Sequence, residues 1–132
     1  MIDITNELYT LLVHEFDNYA PQVSFSQTFT NMPSSYPFVS FEEIDNSIYE
    51  NGSDDMEIEN FANVDYEVNI YAKDPSKKSK AVSIANKVDT LMKSKGFIRR
   101  TKNPFEDKDG TTYRIVMRYS GVVSKDKIVY RG

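Results

Sequence analysis

The chain has 132 residues, no cysteine and a formal net charge of -4, with 39% hydrophobic and 27% charged residues. This length suits a single domain over residues 1–132, because two separate cores would each be marginal. The absence of cysteine excludes a disulfide framework and thiolate metal sites, and the first six residues lack the pattern of a signal peptide. No apolar run approaches the roughly 20 residues of a membrane helix. We therefore expect a protein made in the cytoplasm that contacts no membrane, and the acidic balance argues against general nucleic-acid binding.

The N-terminal segment has the spacing of an amphipathic helix. Apolar residues recur at i, i+3 and i+4 over residues 3–19, and Asp3 or Thr5 is a candidate cap. His14 falls outside this apolar stripe. We interpret it as a solvated surface residue, because no second histidine or cysteine exists to complete a metal or catalytic site.

Two strands and a long acidic connection follow the helix. Alternating aromatic and polar residues predict strands over 23–29 and 36–44. Residues 45–63 then form a predicted inter-strand loop that is longer than the usual hairpin connection. Three interpretations stay open: a site for a hard cation, a solvated loop, and a loop that becomes ordered only against a partner or a neighbouring subunit. The acidic candidates in it are Glu50, Asp54, Asp55, Glu57 and Glu59.

The clearest pattern in the chain is a strand followed by a helix. Residues 64–72 alternate between apolar and polar side chains, which predicts a strand with one buried face. After a polar turn, an apolar stripe from Ala81 to Met92 predicts an amphipathic helix that ends at Gly96. We expect the helix to cover the strand, where each large side chain that becomes buried contributes about 1.5–3 kcal/mol.

The pattern of the C-terminal third of the sequence predicts a last pair of strands that forms a hairpin. Strands are expected over 97–101 and 111–123, joined by a turn over 102–110. If the second strand lies beside residues 64–72, its exposed Arg114 and Arg118 are expected to pair with Asp65 and Glu67. A short terminal strand, either paired within the fold or extending a neighbour's sheet, is predicted for Ile128, Val129 and Tyr130.

Together these elements predict an α+β fold with the order α-β-β-β-α-β-β. One long amphipathic helix packs on an antiparallel or mixed sheet of about five strands. The sequence contains no P-loop, no dinucleotide glycine pattern, no nucleophile elbow and no paired histidines. We therefore expect no enzymatic activity, no catalytic residue, no bound metal and no cofactor.

Several segments of this sequence together suggest a family. They are FVSFEEIDNS at 38–47, FANVDYEVNIY at 61–71, KGF at 95–97 with arginines at 99 and 100, YRIVMRY at 113–119 and IVYR at 128–131. Taken in this order, these segments resemble the tail terminator, or tail completion, proteins of long-tailed phages and prophages, chiefly of Gram-positive hosts. The resemblance covers most of the chain from residue 36 to residue 131.

The resemblance implies a structural virion protein at the head-proximal end of the phage tail. Such subunits form a ring, usually a hexamer, that ends polymerisation of the tail tube and makes the tail side of the head–tail joint. The expected partners are copies of the chain itself, the tail tube protein and a connector or head completion protein, while DNA passes through without being read. The acidic loop residues, Arg114, Arg118 and the terminal segment 128–130 are the candidate protein-interface residues.

Two other functions fit the same sequence. The first is another neck component, such as a head completion or head–tail connector protein, which would share this size and composition. The second is a small non-enzymatic α+β protein-binding module of the host.

Overall fold

The computed structural model describes residues 2–20, 22–28, 33, 35–48, 61–73, 76–106 and 110–130. Two helices and a mixed sheet give an α+β fold, and the predicted order α-β-β-β-α-β-β is confirmed, with a short sixth strand after it. The helices are α1 (Thr5–Tyr19) and α2 (Lys77–Ser94). The strands are β1 (Ser24–Ser26), β2 (Phe38–Ile48), β3 (Phe61–Lys73), β4 (Ile98–Glu106), β5 (Thr112–Ser124) and β6 (Val129–Tyr130).

The sheet is built around the long pair β3 and β5. Its strand order is β1-β2-β3-β5-β4, and β6 pairs with the end of β5. Among the described strand pairs, β1 and β2 run parallel and the others are antiparallel. The register of β3 against β5 is continuous from Phe61 opposite Ser124 to Lys73 opposite Thr112. This leaves β2 and β4 as the long flanking strands of the sheet.

Helix α1 begins at Thr5, two residues after Asp3. An oxygen of the Asp3 carboxylate accepts a hydrogen bond from the backbone N–H of Thr5 at 2.9 Å, and this bond lowers the pKa of Asp3. The side chains that α1 buries, as predicted, are Leu8, Leu12 and Phe16. Tyr19, at the end of the predicted stripe, is instead 50% exposed, and its hydroxyl lies 2.7 Å from that of Ser83. His14 is exposed, as predicted.

The core lies between the helices and one face of β3. Along this strand Tyr66, Val68 and Ile70 are fully buried, which confirms the predicted inner face. The Tyr66 ring stacks on Phe41 at 4.7 Å between centroids and meets Phe97 edge-on at 5.7 Å. Helix α2 covers this face with a buried stripe that consists of Ala81, Ile84, Ala85, Val88 and Met92. Gly96 follows the helix with a φ of 95°, the left-handed backbone that favours glycine at a helix end.

Both helices lie on the same side of the sheet. Thr5 at the start of α1 lies 3.2 Å from the hydroxyl of Tyr66, while Asp89 of α2 accepts a hydrogen bond from Tyr119 on β5. Tyr66 and Tyr119 are opposite one another in the register, so their side chains share one face. In the part of the chain that the structure describes, the other face therefore carries no helix. We call it the open face.

Two predicted boundaries are wrong. The predicted loop over 45–63 is shorter, because β2 continues to Ile48 and β3 begins at Phe61. Ala62, which is opposite Ile48 in the register, is fully buried, so this end of β3 belongs to the core. The predicted turn over 102–110 is also shorter, since β4 continues to Glu106. Pro104 lies inside β4, where an edge strand tolerates its missing N–H.

Candidate assembly surface

The open face carries a chain of hydrogen-bonded side chains across β3 and β5. The Arg114 guanidinium donates to Asn69 Oδ1 through Nε at 3.0 Å and through Nη2 at 2.6 Å. Asn69 Nδ2 donates to one Glu67 oxygen at 3.2 Å, and Arg118 donates to the other oxygen at 3.1–3.2 Å. Asn69 is fully buried beneath these contacts. The charged groups of this face are thus held in fixed positions.

Aromatic rings extend this arrangement at one end. The guanidinium carbon of Arg114 lies 5.4 Å from the ring centroid of Tyr71 and 5.7 Å from that of Phe105. Both distances fall within the range of an attractive cation–π contact. Tyr71 in turn lies 6.2 Å from Phe38 on β2. The open face therefore carries aromatic rings at one end and the ionic contacts of Glu67 next to them.

The register explains which of the predicted ion pairs form. Arg118 lies opposite Glu67, and their predicted pairing is confirmed. Arg114 lies opposite Tyr71 and bonds to Asn69 instead of the predicted acid, because the register places Asp65 opposite Ser120, far along the strand. Both arginines are therefore part of the open face, as the sequence indicates, while their role at a protein interface stays a prediction.

Charge is separated across the sheet. Strand β2 carries three carboxylates and no basic residue, whereas β4 carries three basic residues and one carboxylate. The acids of β2 are Glu42, Glu43 and Asp45, and the basic residues of β4 are Arg99, Arg100 and Lys102. The two flanking strands therefore have opposite signs.

Like charges face each other on the acidic side. Glu42 lies opposite Glu67, and Asp45 lies opposite Asp65. Directly opposed like charges destabilise a strand pair, and among the described residues only Glu67 has a basic partner within this group. Burial raises the pKa of the neighbouring Glu43, although Asn46 donates to its carboxylate. The isolated fold thus keeps an unfavourable cluster of negative charge on β2 and β3.

On the basic side, two of the four charged residues of β4 are neutralised by helix α2. Glu106 pairs with Lys77 at 2.9 Å, and Arg99 pairs with Asp89 at 3.3 Å. Asp89 also accepts bonds from Lys93 and Tyr119. Burial opposes its ionisation, yet these neighbours outweigh burial and lower the pKa of Asp89. Within the described chain, this leaves Arg100 and Lys102 as the exposed, unpaired charges of β4.

Within the described ranges, both flanking strands have an outer edge along which no strand is paired. On its outer side β2 pairs with β1 only along Phe38 to Ser40. No described strand lies on that outer side next to the acidic residues of β2, whose inner side pairs with β3. Among the described strands β4 pairs with β5 alone, and apart from Ile98 all its residues are exposed. Each strand also has a bulge at its charged residues, at Ile44 in β2 and at Arg100 in β4. We call these two surfaces the acidic β2 edge and the basic β4 edge.

The predicted terminal strand pairs within the fold. Val129 lies opposite Val123, and Tyr130 lies opposite Val122. The Val129 side chain packs so closely that a Cβ added to Gly121 would lie 3.2 Å from its Cγ1. The Ile128 side chain is 52% exposed and is therefore available to a partner.

The remaining predicted interface residues fall outside the described part of the chain. These are Glu50, Asp54, Asp55, Glu57 and Glu59. Among the residues that the structure does describe, no group of three or more His, Cys, Asp or Glu side chains is placed to hold a metal ion. Neither described helix has the length and apolar composition to span a membrane.

Sequence reasoning did not single out the two charged edges. The available signal was a repeated spacing: Glu42-Glu43-x-Asp45 in one strand and Arg99-Arg100-x-Lys102 in another. Its meaning depends on the strand order, which places these two segments at opposite sides of the sheet. Comparison with protein-family models and with curated proteins finds no match to this chain.

Proposed function

We propose that this chain is a structural subunit of a long-tailed phage or prophage that caps the head-proximal end of the tail tube. The segments that resemble tail terminator proteins form β2, β3, β5 and β6, together with the start of β4. They therefore build the sheet and its exposed surfaces rather than one helix or one turn. The observation that carries the proposal is that the segments with the resemblance form the strands of the sheet, including its open face and its two flanking edges.

The proposed role requires surfaces for at least two kinds of contact. Copies of the subunit must join side by side in a ring, and the ring must meet the tail tube on one side and the connector on the other. The open face, with Arg114 and Arg118 held in place by Asn69 and Glu67, supplies one fixed polar surface. The two edges supply a second set. Such rigid, preorganised charged groups reduce the ordering cost of association.

The net charge agrees with a ring through which DNA passes. A duplex carries one negative charge about every 1.7 Å along its axis, and basic residues lining a channel would retain it. The chain has 20 acidic and 16 basic residues. A ring of such subunits would not hold the phosphate backbone by its overall charge.

Electron microscopy of virions that lack the protein tests this function. Disruption of the gene in its phage or prophage is expected to give tails longer than normal that are not joined to heads. Supplying the intact chain from a plasmid should restore both tail length and joining. Tails of normal length beside heads that have lost their DNA would contradict the proposal and would instead assign a head completion role.

An assembly reaction in solution gives a second test. Purified chain added to polymerising tail tube protein is expected to shorten the tubes in proportion to its concentration, because each capped end stops growing. Heat-denatured chain is the control. An unchanged distribution of tube lengths would contradict tube capping, whatever oligomer the chain forms.

A further inference from the structure

We propose that the solvent side of helix α2 and the neighbouring part of β4 form a surface that contacts the phosphate backbone of duplex DNA without reading its sequence. Its basic side chains are Lys78, Lys80, Lys87 and Lys102, and we call it the lysine surface. The inference goes beyond the proposed function, because it concerns nucleic acid rather than the tail tube. It holds whether or not the chain caps a tube.

Basic residues are concentrated in one continuous stretch of the chain. Residues 76–106, which are all described and contain α2 and β4, hold nine of the 16 basic residues and two of the 20 acidic residues. Both of these acids already have basic partners. Asp89 pairs with Lys93 and Arg99. Glu106 pairs with Lys77. The negative net charge of the whole chain therefore does not describe this stretch, which is strongly positive.

The lysines of α2 flank an exposed ridge of small polar side chains. The ridge lies opposite the buried stripe of the helix and consists of Ser79, Ser83, Asn86, Thr90 and Ser94. Lys87 is on the α1 side of the ridge, where its ammonium group lies 5.4 Å from the ring centroid of Tyr19. Lys80 comes about two turns before Lys87 and is on the same side. Lys78 comes about three turns before Asp89, so it is on the side that faces β4.

Lys102 extends the lysine surface from the helix onto the sheet. The register places it on the face of the sheet that α2 covers. Ion pairs hold α2 against β4 at Glu106 and at Arg99. Lys102 lies between these two residues in the strand, so it is beside the helix. The lysines of α2 and β4 are therefore on one side of the molecule.

These four side chains are available to a ligand. Lys78, Lys80 and Lys102 are exposed, and Lys87 is half-buried. None of them has an ion pair among the described residues. The ridge residues between them are all exposed and carry no charge. A polyanion therefore meets four free cations and no free carboxylate along α2.

Helix stability does not explain these lysines. A carboxylate three or four residues away commonly stabilises a helical lysine, but the single acid of α2, Asp89, already pairs with Lys93. Three lysines occupy the first turn of α2, which contains no acidic residue. The positive end of the helix dipole disfavours cations there. The charges thus oppose the helix rather than support it, which indicates a role in binding.

The composition of the surface fits phosphate better than it fits a protein partner. Interfaces between proteins are enriched in aromatic and Met side chains and depleted in Lys and Ser. No exposed large hydrophobic residue of the described chain belongs to α2, and the one that borders its ridge is Tyr19. Lysine, hydroxyl and amide side chains, tyrosine included, are common ligands of DNA phosphates. Helix α2 has 18 residues, and its length of about 27 Å matches about eight successive phosphates of one strand.

Fluorescence anisotropy of a short labelled DNA duplex titrated with the natural chain tests the proposal. If four lysines each neutralise one phosphate, the slope of log K against log salt concentration should be about −3.6. Binding should then weaken by about two orders of magnitude between about 50 and 200 mM salt. Two duplexes of unrelated sequence should bind equally, because phosphate contacts carry no sequence information.

Two double variants remove charge from opposite sides of the ridge. One carries Lys80→Gln and Lys87→Gln, and the other carries Lys78→Gln and Lys102→Gln. Each should reduce the magnitude of the salt slope by about 2 and weaken binding to both duplexes to the same extent.

The matched control removes the same charge elsewhere and carries Arg100→Gln and Lys125→Gln. Arg100 lines a small depression of the open face together with Asp65, and Lys125 lies in the turn before β6. This variant should keep the affinity and the salt slope of the natural chain. Circular dichroism confirms that each variant is folded. Should a lysine variant fail to fold, the salt slope and the sequence independence of the natural chain still decide.

Poly-L-glutamate separates phosphate binding from binding of an acidic protein. It should displace the labelled duplex less well than unlabelled duplex of the same total charge, because its carboxylates are less densely spaced than the phosphates of DNA. Equal displacement would overturn the proposal in favour of an acidic protein partner. Absence of binding by the natural chain at about 50 mM salt, an unchanged slope in both lysine variants, or an equal loss in the control would overturn it as well.

The outcomes separate this inference from the proposed function. A chain that shortens tail tubes but does not bind DNA would overturn the lysine surface and support tube capping. A chain that binds DNA as described but leaves the tubes unchanged would do the reverse.

Discussion

The two faces of strand β3 have different chemistry. On the inner face Tyr66, Val68 and Ile70 are fully buried against other apolar side chains. On the outer face Glu67 and Asn69 belong to a hydrogen-bonded network with two arginines of β5. The same strand thus supplies both the core and the open face. Stability therefore depends mainly on the inner face, whereas the outer face and the edges are available to bind a partner.

The largest effect is expected on the inner face. Ile70→Ala removes a fully buried side chain between β3 and α2, and it should lower the free energy of unfolding by roughly 2–5 kcal/mol. Urea denaturation followed by circular dichroism measures this loss. Ile70→Val, which removes one methyl group, should cost only about 0.5–1.5 kcal/mol. Equal losses for the two variants would contradict the packing described.

Asn69→Ala tests whether the outer face contributes to stability. Although it faces outward, Asn69 is fully buried and joins Arg114 to Glu67. Its loss removes an acceptor from a guanidinium and a donor from a carboxylate, so the free energy of unfolding should fall by about 1–3 kcal/mol. Asn63→Ala, on the same face of β3, is the control and should change it by less than about 0.5 kcal/mol. Similar values for both would mean that the network is not stabilising.

The pH dependence of stability tests the anchor of β4. The lowered pKa of Asp89 means that its ionised form is favoured by folding. Its contribution is therefore present above the unfolded pKa of about 3.9 and is lost as the pH falls through the lower folded value. Asp89→Asn should reduce stability near pH 7 and flatten its decline below about pH 4. Thermal melts at several pH values check this, and parallel curves for the two proteins would contradict it.

The smallest effect is expected for the Glu67–Arg118 ion pair. Its N–O distance is 3.1 Å, but the Arg118 side chain is 56% exposed. A double-mutant cycle with Glu67→Gln and Arg118→Gln should therefore give a coupling below about 1 kcal/mol that weakens with added salt. A larger, salt-independent coupling would show that this outer face is as tightly held as the inner one.

Local patterns were sufficient to predict most of the fold. The stripe of α2 and the alternation of β3 depend only on the periods of helix and strand, so both were predictable from residues 64–92. The parallel pairing of β1 with β2 was not predictable, because no local pattern determines which strands become neighbours. The ends of β2 and β4 were missed because Asn46 and Pro104 are unusual in strands, yet edge positions and tertiary contacts accommodate them.

Less of the candidate surface was predictable. The pairing of Arg118 with Glu67 followed from alternation on two neighbouring strands. The partner of Arg114 did not, because it depends on a register that the sequence does not specify. The two charged edges could not be predicted either, because they depend on the strand order. Glu42 and Lys102 belong to strands of opposite charge, and only the strand order places these two strands, β2 and β4, on opposite sides of the sheet.

The central proposal is that the chain caps the growing tail tube, and the length of tubes formed in solution tests it most directly. Purified chain added to polymerising tail tube protein is expected to give tubes that become shorter as its concentration rises, whereas heat-denatured chain should leave their length unchanged. Tubes whose length does not respond to the folded chain would contradict the account.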